Sequence, residues 1–340
     1  MSNSTREDIA RRCLWPMVLA LAAIGPPVAS TEIPEAYAAG RQAFIGEVAE
    51  RHGFDRASLT DLLDQARYDP AIIAAITRPF EARPWPEYRA LFVTSERIAR
   101  GVEYWAAHED WLRRAEADYG VPPQIIVAII GVETNYGANL GRHRVIDSLT
   151  TLGFSYPPRA DFFRRELEEL LLLAREERID LTSVTGSYAG AMGKPQFISS
   201  SYRAYAIDFD GDGRRDLWNS DADAIGSVAN YLHRHGWRRD AAVAVPARVP
   251  PGGAAPLPLA EGGPLSPAIP ASVLREAGIA WHGHIDEEAP STLMRLPGGV
   301  DEYWLGQANF YALTRYNRSN LYAMAVAQLA DEIRVGRLAR

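Results

Sequence analysis

Apolar residues recur every three or four positions along much of the chain, which is the spacing of one face of an α-helix. From about residue 34 to 120 this spacing predicts a series of helices, as in FIGEVAERHGF and SLTDLLDQA. Ser58 begins the second of these segments and is predicted to cap its helix. Pro84 and Pro86 in RPWPEYRALF are predicted to interrupt the helical pattern.

The central stretch of the chain is also predicted to be mostly helical. Pro123 indicates the start of a helix that runs to about Tyr136, because proline is favoured in the first turn. Gly137 can close that helix in the left-handed conformation. A further helix is predicted over residues 161–177, where ELEELLLLAREE combines an apolar stripe with an acidic face.

The composition changes beyond residue 240, where AVAVPARVPPGGAAPLPLAEGG is too rich in Pro and Gly for a long helix. Short strands are predicted over residues 242–249 and 292–296 and around Tyr303-Trp304. Helical spacing returns over residues 319–333, with Ser319 as the predicted cap. The predicted fold class is therefore α+β, mostly α. A signal peptide is predicted over residues 1–30 and a helical domain over residues 31–120. The main core is predicted over residues 121–240 and 302–340, and a small β-containing insertion over residues 241–301 separates its two pieces.

The charge of the chain narrows the class of partner. The 340 residues carry a net charge of −7 with no basic cluster. This argues against a nucleic-acid-binding protein, whose affinity comes largely from neutralising phosphates.

The first thirty residues have the pattern of an export signal. Arginines precede a short apolar run, and small residues that end at Ser30 follow it. Cys13, the single cysteine, precedes the apolar run, where it cannot be the acylated residue of a lipoprotein. We expect cleavage after Ser30 and a periplasmic protein, and an unstructured N-terminus is the alternative.

One carboxylate ends an otherwise apolar segment. Glu133 follows IIVAII, and the predicted helix places it in the last turn. Apolar neighbours disfavour the ionised carboxylate, and the negative end of the helix dipole acts in the same direction. Both effects raise the pKa, so Glu133 is predicted to donate a proton near neutral pH, as cleavage of a glycosidic bond requires. A surface glutamate at a frayed helix end is the alternative.

Five segments carry a family resemblance. They are GVETNYG, GSYAGAMGKPQF, DFDGDGRRDLW, AIGSVANYL followed by HGW, and NFYALTRYNRSNLYAMAV. In this order and spacing they resemble the B family of lytic murein transglycosylases, from about residue 34 to the end of the chain. The resemblance implies a lysozyme-like core that cleaves the β-1,4 bond between N-acetylmuramic acid and N-acetylglucosamine in peptidoglycan.

The resemblance also implies a mechanism with a single acid. Glu133 matches the family's catalytic glutamate, which protonates the leaving oxygen and then takes the proton of the C6 hydroxyl, leaving a 1,6-anhydromuramoyl end. Assistance by the substrate's acetamido group makes a second carboxylate unnecessary, and the next acids, Asp147 and Asp161, lie in less apolar surroundings. No organic cofactor is implied. The expected partners are glycan strands and other cell-wall enzymes, and the expected state is a monomer.

Several other positions match substrate-binding residues of the family. Ser187 in GSYAG matches a serine that binds the sugar acetamido group, and Gln196 in PQF matches a substrate-binding glutamine. Arg159 matches a basic residue that faces the peptide stem. The remaining matches are cleft residues, one of them an expected hydrogen-bond donor to Glu133: Tyr316, Asn317 and Tyr322. The alternatives are a turn residue for Ser187, a helix cap for Asn317 and a core aromatic for Tyr322.

An acidic segment follows the first nine positions of an EF-hand calcium loop, with glycine at the sixth. The predicted ligands are Asp208, Asp210, Asp212, the backbone carbonyl of Arg214, and Asp216. The twelfth position is Asn219, where a bidentate glutamate is expected. The family resemblance suggests a longer loop that Asp223 closes, with Asp221 as its rival. This predicts a structural Ca²⁺, and a solvated acidic turn is the alternative.

Three functions remain open at this point. The first is a periplasmic lytic transglycosylase. The second is a lysozyme of the goose type, which would use the same glutamate but deliver water. The third is a non-catalytic glycan-binding protein of the cell envelope.

Overall fold

Three helices in the N-terminal part of the chain begin at a side-chain cap, since Asp55, Asp69 and Thr94 each accept a backbone N–H group of the first turn. The structure is a computed structural model that describes residues 34–78, 83–250, 258–261, 263–264 and 266–339, so the predicted signal peptide lies outside the described residues. The N-terminal helices are α1 (Glu35–His52), α2 (Arg56–Asp64), α3 (Pro70–Ile76), α4 (Trp85–Phe92), α5 (Ser95–Ala107) and α6 (Glu109–Tyr119).

Two predictions for this region are wrong. Asp55, and not Ser58, caps α2, since its carboxylate accepts the backbone N–H of Ser58 at 2.7 Å. Pro84 and Pro86 do not interrupt a helix but begin α4, at the N-cap and in the first turn. Proline is tolerated there because N–H groups in the first turn have no partner within the helix.

The main core is built around one apolar helix, α7 (Pro123–Thr134), which is buried from Ile125 to its end. It packs against α5, α6 and two helices that follow much later in the chain, α11 and α14. The helices of this core are α7, α8 (Val145–Ser155), α9 (Ala160–Glu177), α10 (Ser199–Tyr205), α11 (Asp221–Arg234), α13 (Ala308–Tyr316) and α14 (Asn320–Leu338). A 3₁₀ turn, Pro157–Arg159, precedes α9, and strands β1 (His143–Arg144) and β2 (Thr185–Gly186) pair antiparallel.

The predicted end of the central helix is wrong by two residues. Asn135 caps α7 in the left-handed conformation, with φ 51°, and Tyr136 and Gly137 continue with positive φ. Asparagine is among the few residues that adopt this conformation at low cost. The helices predicted over residues 161–177 and 319–333 are confirmed, as is the cap at Ser319.

A small sheet lies against the helical core. Its strands are β3 (Ala244–Arg248), β4 (Leu259–Ala260), β5 (Ile269–Pro270), β6 (Ala280–Trp281), β7 (Pro290–Leu296) and β8 (Glu302–Gly306), with α12 (Ala271–Glu276) between β5 and β6. The order is β4-β7-β8-β3-β6, with β5 also paired to β7, and β7 pairs antiparallel with β8. The strands predicted over residues 242–249 and 292–296 and at Tyr303-Trp304 are confirmed. The predicted boundary at residue 301 falls between β7 and β8 of this sheet.

Candidate active site

Glu133 lies in the last turn of α7 with only 3% of its surface exposed. The Tyr322 hydroxyl donates a hydrogen bond of 2.6 Å to Oε1 of Glu133. The other oxygen, Oε2, is buried without a partner among the described residues. Loss of water raises the pKa of Glu133 well above its usual value, and the bond from Tyr322 lowers it by less. The predicted burial of Glu133 is therefore confirmed, and the alternative of a surface glutamate is wrong.

Tyr322 is held by the first turn of α14, which packs against α7. The Ser319 hydroxyl accepts the backbone N–H of Tyr322 at 3.3 Å and so caps this helix. The Tyr322 ring lies nearly parallel to that of Tyr316, with 6.4 Å between centroids. Burial, followed by the nearby Glu133 carboxylate, raises the pKa of both tyrosines well above the usual value. Tyr322 therefore stays protonated and able to donate.

The residues 193–197, here called the glutamine turn, lie against the end of α7. Gln196 has a positive φ of 52°, and its Nε2 donates to the carbonyls of Gly193 and Leu140 at 2.9 and 3.3 Å. The Thr134 hydroxyl donates to the Lys194 carbonyl at 2.9 Å, and Tyr316 donates to the Pro195 carbonyl at 2.7 Å. The turn thus connects the residue after Glu133 to the tyrosine stacked on Tyr322.

Ser187 organises a tight turn. Its Oγ accepts the backbone N–H groups of Ala189 and Ala191 at 3.3 and 3.0 Å. Gly186 beside it has no room for a side chain, because a Cβ there would lie 2.2 Å from the Ala191 carbonyl oxygen. These bonds fit the turn role considered from sequence, and since Oγ is only an acceptor in them, contact with sugar stays a prediction.

Asn317 lies in the short link between α13 and α14 and is 1% exposed. Both polar atoms of its amide are buried without a partner among the described residues. The alternative role as a cap of the last helix is wrong, because Ser319 caps it. An unpaired buried amide costs roughly 1–3 kcal/mol per group, so this side chain is suited to hydrogen-bond a ligand.

Arg159 ends the 3₁₀ turn before α9. Its guanidinium lies over the rings of Phe162 and Phe163, 4.5 and 5.1 Å from their centroids. The structure places it on this aromatic surface, and its contact with a peptide stem stays a prediction.

A second buried carboxylate, Glu166 on α9, was missed from sequence. Its two oxygens accept the backbone N–H and the hydroxyl of Ser200, at 2.9 and 2.8 Å, at the start of α10. Burial raises the pKa of Glu166 to about 7. The available signal was its place on the apolar stripe between Phe163 and Leu170. These two hydrogen bonds indicate that Glu166 has a structural role, which is to anchor the start of α10.

The acidic loop, residues 208–219, brings several carboxylate oxygens close together. Carboxylate oxygens of Asp208, Asp210 and Asp212 lie within 4.8 Å of one another. Asp208 also accepts the backbone N–H groups of Gly211 and Gly213, both at 2.8 Å, and these glycines have φ of 81° and 90°. Such a set of carboxylates on a sharply turned backbone fits Ca²⁺, which prefers oxygen ligands.

The two rival aspartates of α11 face different ways. Asp223 accepts the backbone N–H groups of Phe209 and Asp216 at 2.7 and 2.8 Å, so it fastens the acidic loop. Asp221 instead accepts from the Tyr104 hydroxyl at 2.8 Å and pairs with Lys194 at 2.6 Å. The structure thus favours Asp223 over Asp221 as the residue that closes the loop. The ligand roles of Arg214 and Asp216 stay predictions.

Comparison with known proteins decides the family. The family model for the transglycosylase SLT domain matches residues 36–331. The chain is a member of this SLT transglycosylase family. Membrane-bound lytic murein transglycosylase B of Escherichia coli is 43% identical over 308 residues, which are 87% of this chain and 83% of that protein. The predicted family is therefore confirmed, and this SLT transglycosylase is an enzyme whose relatives act on peptidoglycan.

Solved structures confirm the predicted lysozyme-like fold of this SLT transglycosylase. Lytic transglycosylase SltB1 of Pseudomonas aeruginosa has a TM-score of 0.82 and 48% identity, covering 87% of this chain and 97% of that one. Lytic transglycosylase Slt35 of Escherichia coli, in complex with calcium, has a TM-score of 0.79 and 42% identity over 88% and 94% of the two chains. SltB3 of Pseudomonas aeruginosa, in complex with NAG-anhNAM-pentapeptide, has a TM-score of 0.78 and 31% identity over 88% and 80%.

Among the described residues of this SLT transglycosylase, no helix combines the length and the apolar character that crossing a bilayer requires.

Replacement of Glu133 by Gln is expected to stabilise the fold at neutral pH. Because the folded pKa of Glu133 lies above its unfolded value of about 4.5, the native protein holds an extra proton between these two values. The wild type therefore loses up to about 1.4 kcal/mol of stability per pH unit as pH rises through this window, whereas glutamine cannot ionise. Denaturant unfolding of both proteins at pH 4 and 7 measures this. If the unfolding free energies of the variant and the wild type differed by the same amount at pH 4 and pH 7, the raised pKa of Glu133 would be contradicted.

Proposed function

We propose that the protein is a lytic transglycosylase that cleaves the bond between N-acetylmuramic acid and N-acetylglucosamine and leaves a 1,6-anhydromuramoyl end. The observation that carries the proposal is Glu133, a buried carboxyl group with a tyrosine donor on one oxygen and, within the described part of the chain, no partner on the other. The known structure of SltB3 with an anhydro-muropeptide supports the same product class.

Glu133 supplies the proton for bond cleavage. In the protonated form it donates to the glycosidic oxygen, and the bond between that oxygen and C1 of the muramoyl residue breaks. The acetamido carbonyl of the same sugar then steadies the positive charge at C1. The C6 hydroxyl attacks C1 in the second step, and its proton passes to the Glu133 carboxylate. The acid is regenerated and no water is consumed.

Tyr322 has two effects in this cycle. Its hydrogen bond fixes the rotamer of Glu133, and it stabilises the carboxylate formed after the first step. Gln196, Asn317, Ser187 and Tyr316 are proposed to line the sugar sites around it.

The surroundings of Asp147 and Asp161, the next acids along the chain, support the single-acid mechanism. An ordinary glycosidase needs a second carboxylate about 5–9.5 Å from the first. Asp147 is paired with Arg144 at 2.7 Å, and the Asp161 side chain is 78% exposed. The two effects that shift the pKa of Glu133 are burial and Tyr322, and neither is another acid. This fits a mechanism with one acid, and because a goose-type lysozyme would use the same glutamate, the end groups of the product distinguish the two enzymes.

We also propose a structural Ca²⁺ in the acidic loop, held by Asp208, Asp210, Asp212, the Arg214 carbonyl, Asp216 and Asp223. The clustered oxygens of the first three aspartates support it, and the calcium complex of the related Slt35 agrees. The ion would neutralise carboxylates that otherwise repel one another. The loop precedes α11, which packs on α7, so order in the loop supports the helix that carries Glu133.

Replacement of Glu133 by Gln is expected to lower murein solubilisation by at least about 10²–10⁴-fold, because general acid catalysis is lost. The matched control is Asp161→Asn, which removes an exposed carboxylate and should leave activity intact. Mass spectrometry of the wild-type digest should show ends lighter by one water than hydrated ends. Full activity of the glutamine variant would exclude the catalytic role, and hydrated ends would instead identify a lysozyme.

Removal of calcium is expected to lower the melting temperature of the wild type. A ligand at 100 times its Kd stabilises a fold by about 2.7 kcal/mol, and this contribution vanishes with the ion. In Asp208→Ala a chelator should have no further effect, whereas Asp110→Ala, which removes an 87% exposed acid elsewhere, should respond like the wild type. An unchanged melting temperature of the wild type in chelator would argue against the site.

We propose export to the periplasm, where peptidoglycan lies, by cleavage after Ser30. N-terminal sequencing of protein from the periplasmic fraction should then begin at Thr31. Recovery of the chain with Met1 in the cytoplasm would contradict the proposal.

A further inference from the structure

The glutamine turn connects the candidate active site to the acidic loop. On one side its Lys194 carbonyl accepts from Thr134, the residue after Glu133. On the other side the Lys194 backbone N–H donates to the Leu217 carbonyl of the acidic loop at 2.8 Å. One residue therefore contacts both regions through its backbone.

The Lys194 side chain adds a third connection. Its ammonium lies 2.6 Å from Oδ1 of Asp221, and the two side chains are 12% and 27% exposed. The Tyr104 hydroxyl donates to the same oxygen at 2.8 Å. A pair this sheltered is screened little by solvent, so loss of one partner leaves an uncompensated charge. Lys194 is therefore held firmly against the first residue of α11.

The first turn of α11 also holds the acidic loop. Ser220, its cap, donates from Oγ to Oδ2 of Asp210 at 2.8 Å. Asp223, in the same turn as Asp221, accepts two backbone N–H groups of the loop. Any shift of the loop carboxylates on binding a cation thus acts on the helical turn that holds Lys194.

We propose that Lys194 is a positioning residue: its ion pair with Asp221 couples cation binding in the acidic loop to sugar binding beside Glu133. The inference rests on the proposed function and on the proposed calcium site. Because such a coupling is reciprocal, bound sugar tightens calcium binding by the factor by which calcium tightens sugar binding.

The decisive experiment measures calcium affinity with and without sugar. Glu133→Gln prevents turnover, and the sugar probe is a tetrasaccharide of alternating N-acetylglucosamine and N-acetylmuramic acid with its peptide stems. Calorimetry should show at least about 5-fold tighter calcium binding when the probe is present, the low end of typical allosteric factors.

When Lys194→Met is added to the Glu133→Gln variant, the sugar probe should no longer tighten calcium binding, while calcium should still raise the melting temperature. The matched control is Arg41→Met, which breaks another partly buried pair, with Asp64 at 2.8 Å, away from the loop. In the Arg41→Met control the probe should tighten calcium binding as much as it does in the Glu133→Gln variant alone.

The outcomes separate the claims. A calcium affinity that the probe does not change, or a factor that survives Lys194→Met, overturns the coupling alone. Absence of calcium binding overturns the metal site and the coupling with it. Absence of probe binding, with calcium still bound, overturns the proposed function.

Discussion

The site depends on a carboxyl group that is buried and that receives one hydrogen bond from the described residues, the bond from Tyr322. A carboxylic acid stays neutral near pH 7 only if desolvation of its ionised form outweighs the bonds that stabilise that form. Burial of α7 from Ile125 to its end raises the pKa of Glu133 well above its usual value, and among the described residues Tyr322 is the one hydrogen-bond partner of its oxygens. A second donor on Oε2 would shift the balance toward the ionised group and remove the acid.

This arrangement destabilises the fold locally. Glu133 Oε2 and the Asn317 amide are buried with no hydrogen-bond partner in the portion of the chain that the structure describes, an arrangement that ordinary cores avoid. The surrounding contacts compensate, since α14 packs on α7 and the glutamine turn ties Thr134 to Tyr316 through its carbonyls. Unpaired polar groups that the surrounding packing and hydrogen bonds hold in place are typical of a ligand-binding site.

The sequence could predict the features that depend on residues close together in the chain, namely the secondary structure and the burial of individual helices. The apolar run before Glu133 indicated its burial, and the change of composition beyond residue 240 indicated the segment of short strands that includes β3, β7 and β8. It could not predict contacts set by how elements face one another. The hydrogen bonds that Ser200 donates to Glu166 and the ion pair between Lys194 and Asp221 each join residues more than 25 positions apart. Likewise, only the orientation of α11 distinguishes Asp223 from Asp221.

The two partners of the central hydrogen bond are 189 positions apart, with the whole sheet between them. Contacts of such long range form late, after the loop that separates them has been closed. During synthesis the ribosome releases Glu133 well before the segment that carries its tyrosine. A chain shortened before α14 would lack Tyr322, so in the proposed mechanism Glu133 would have lost its hydrogen-bond donor.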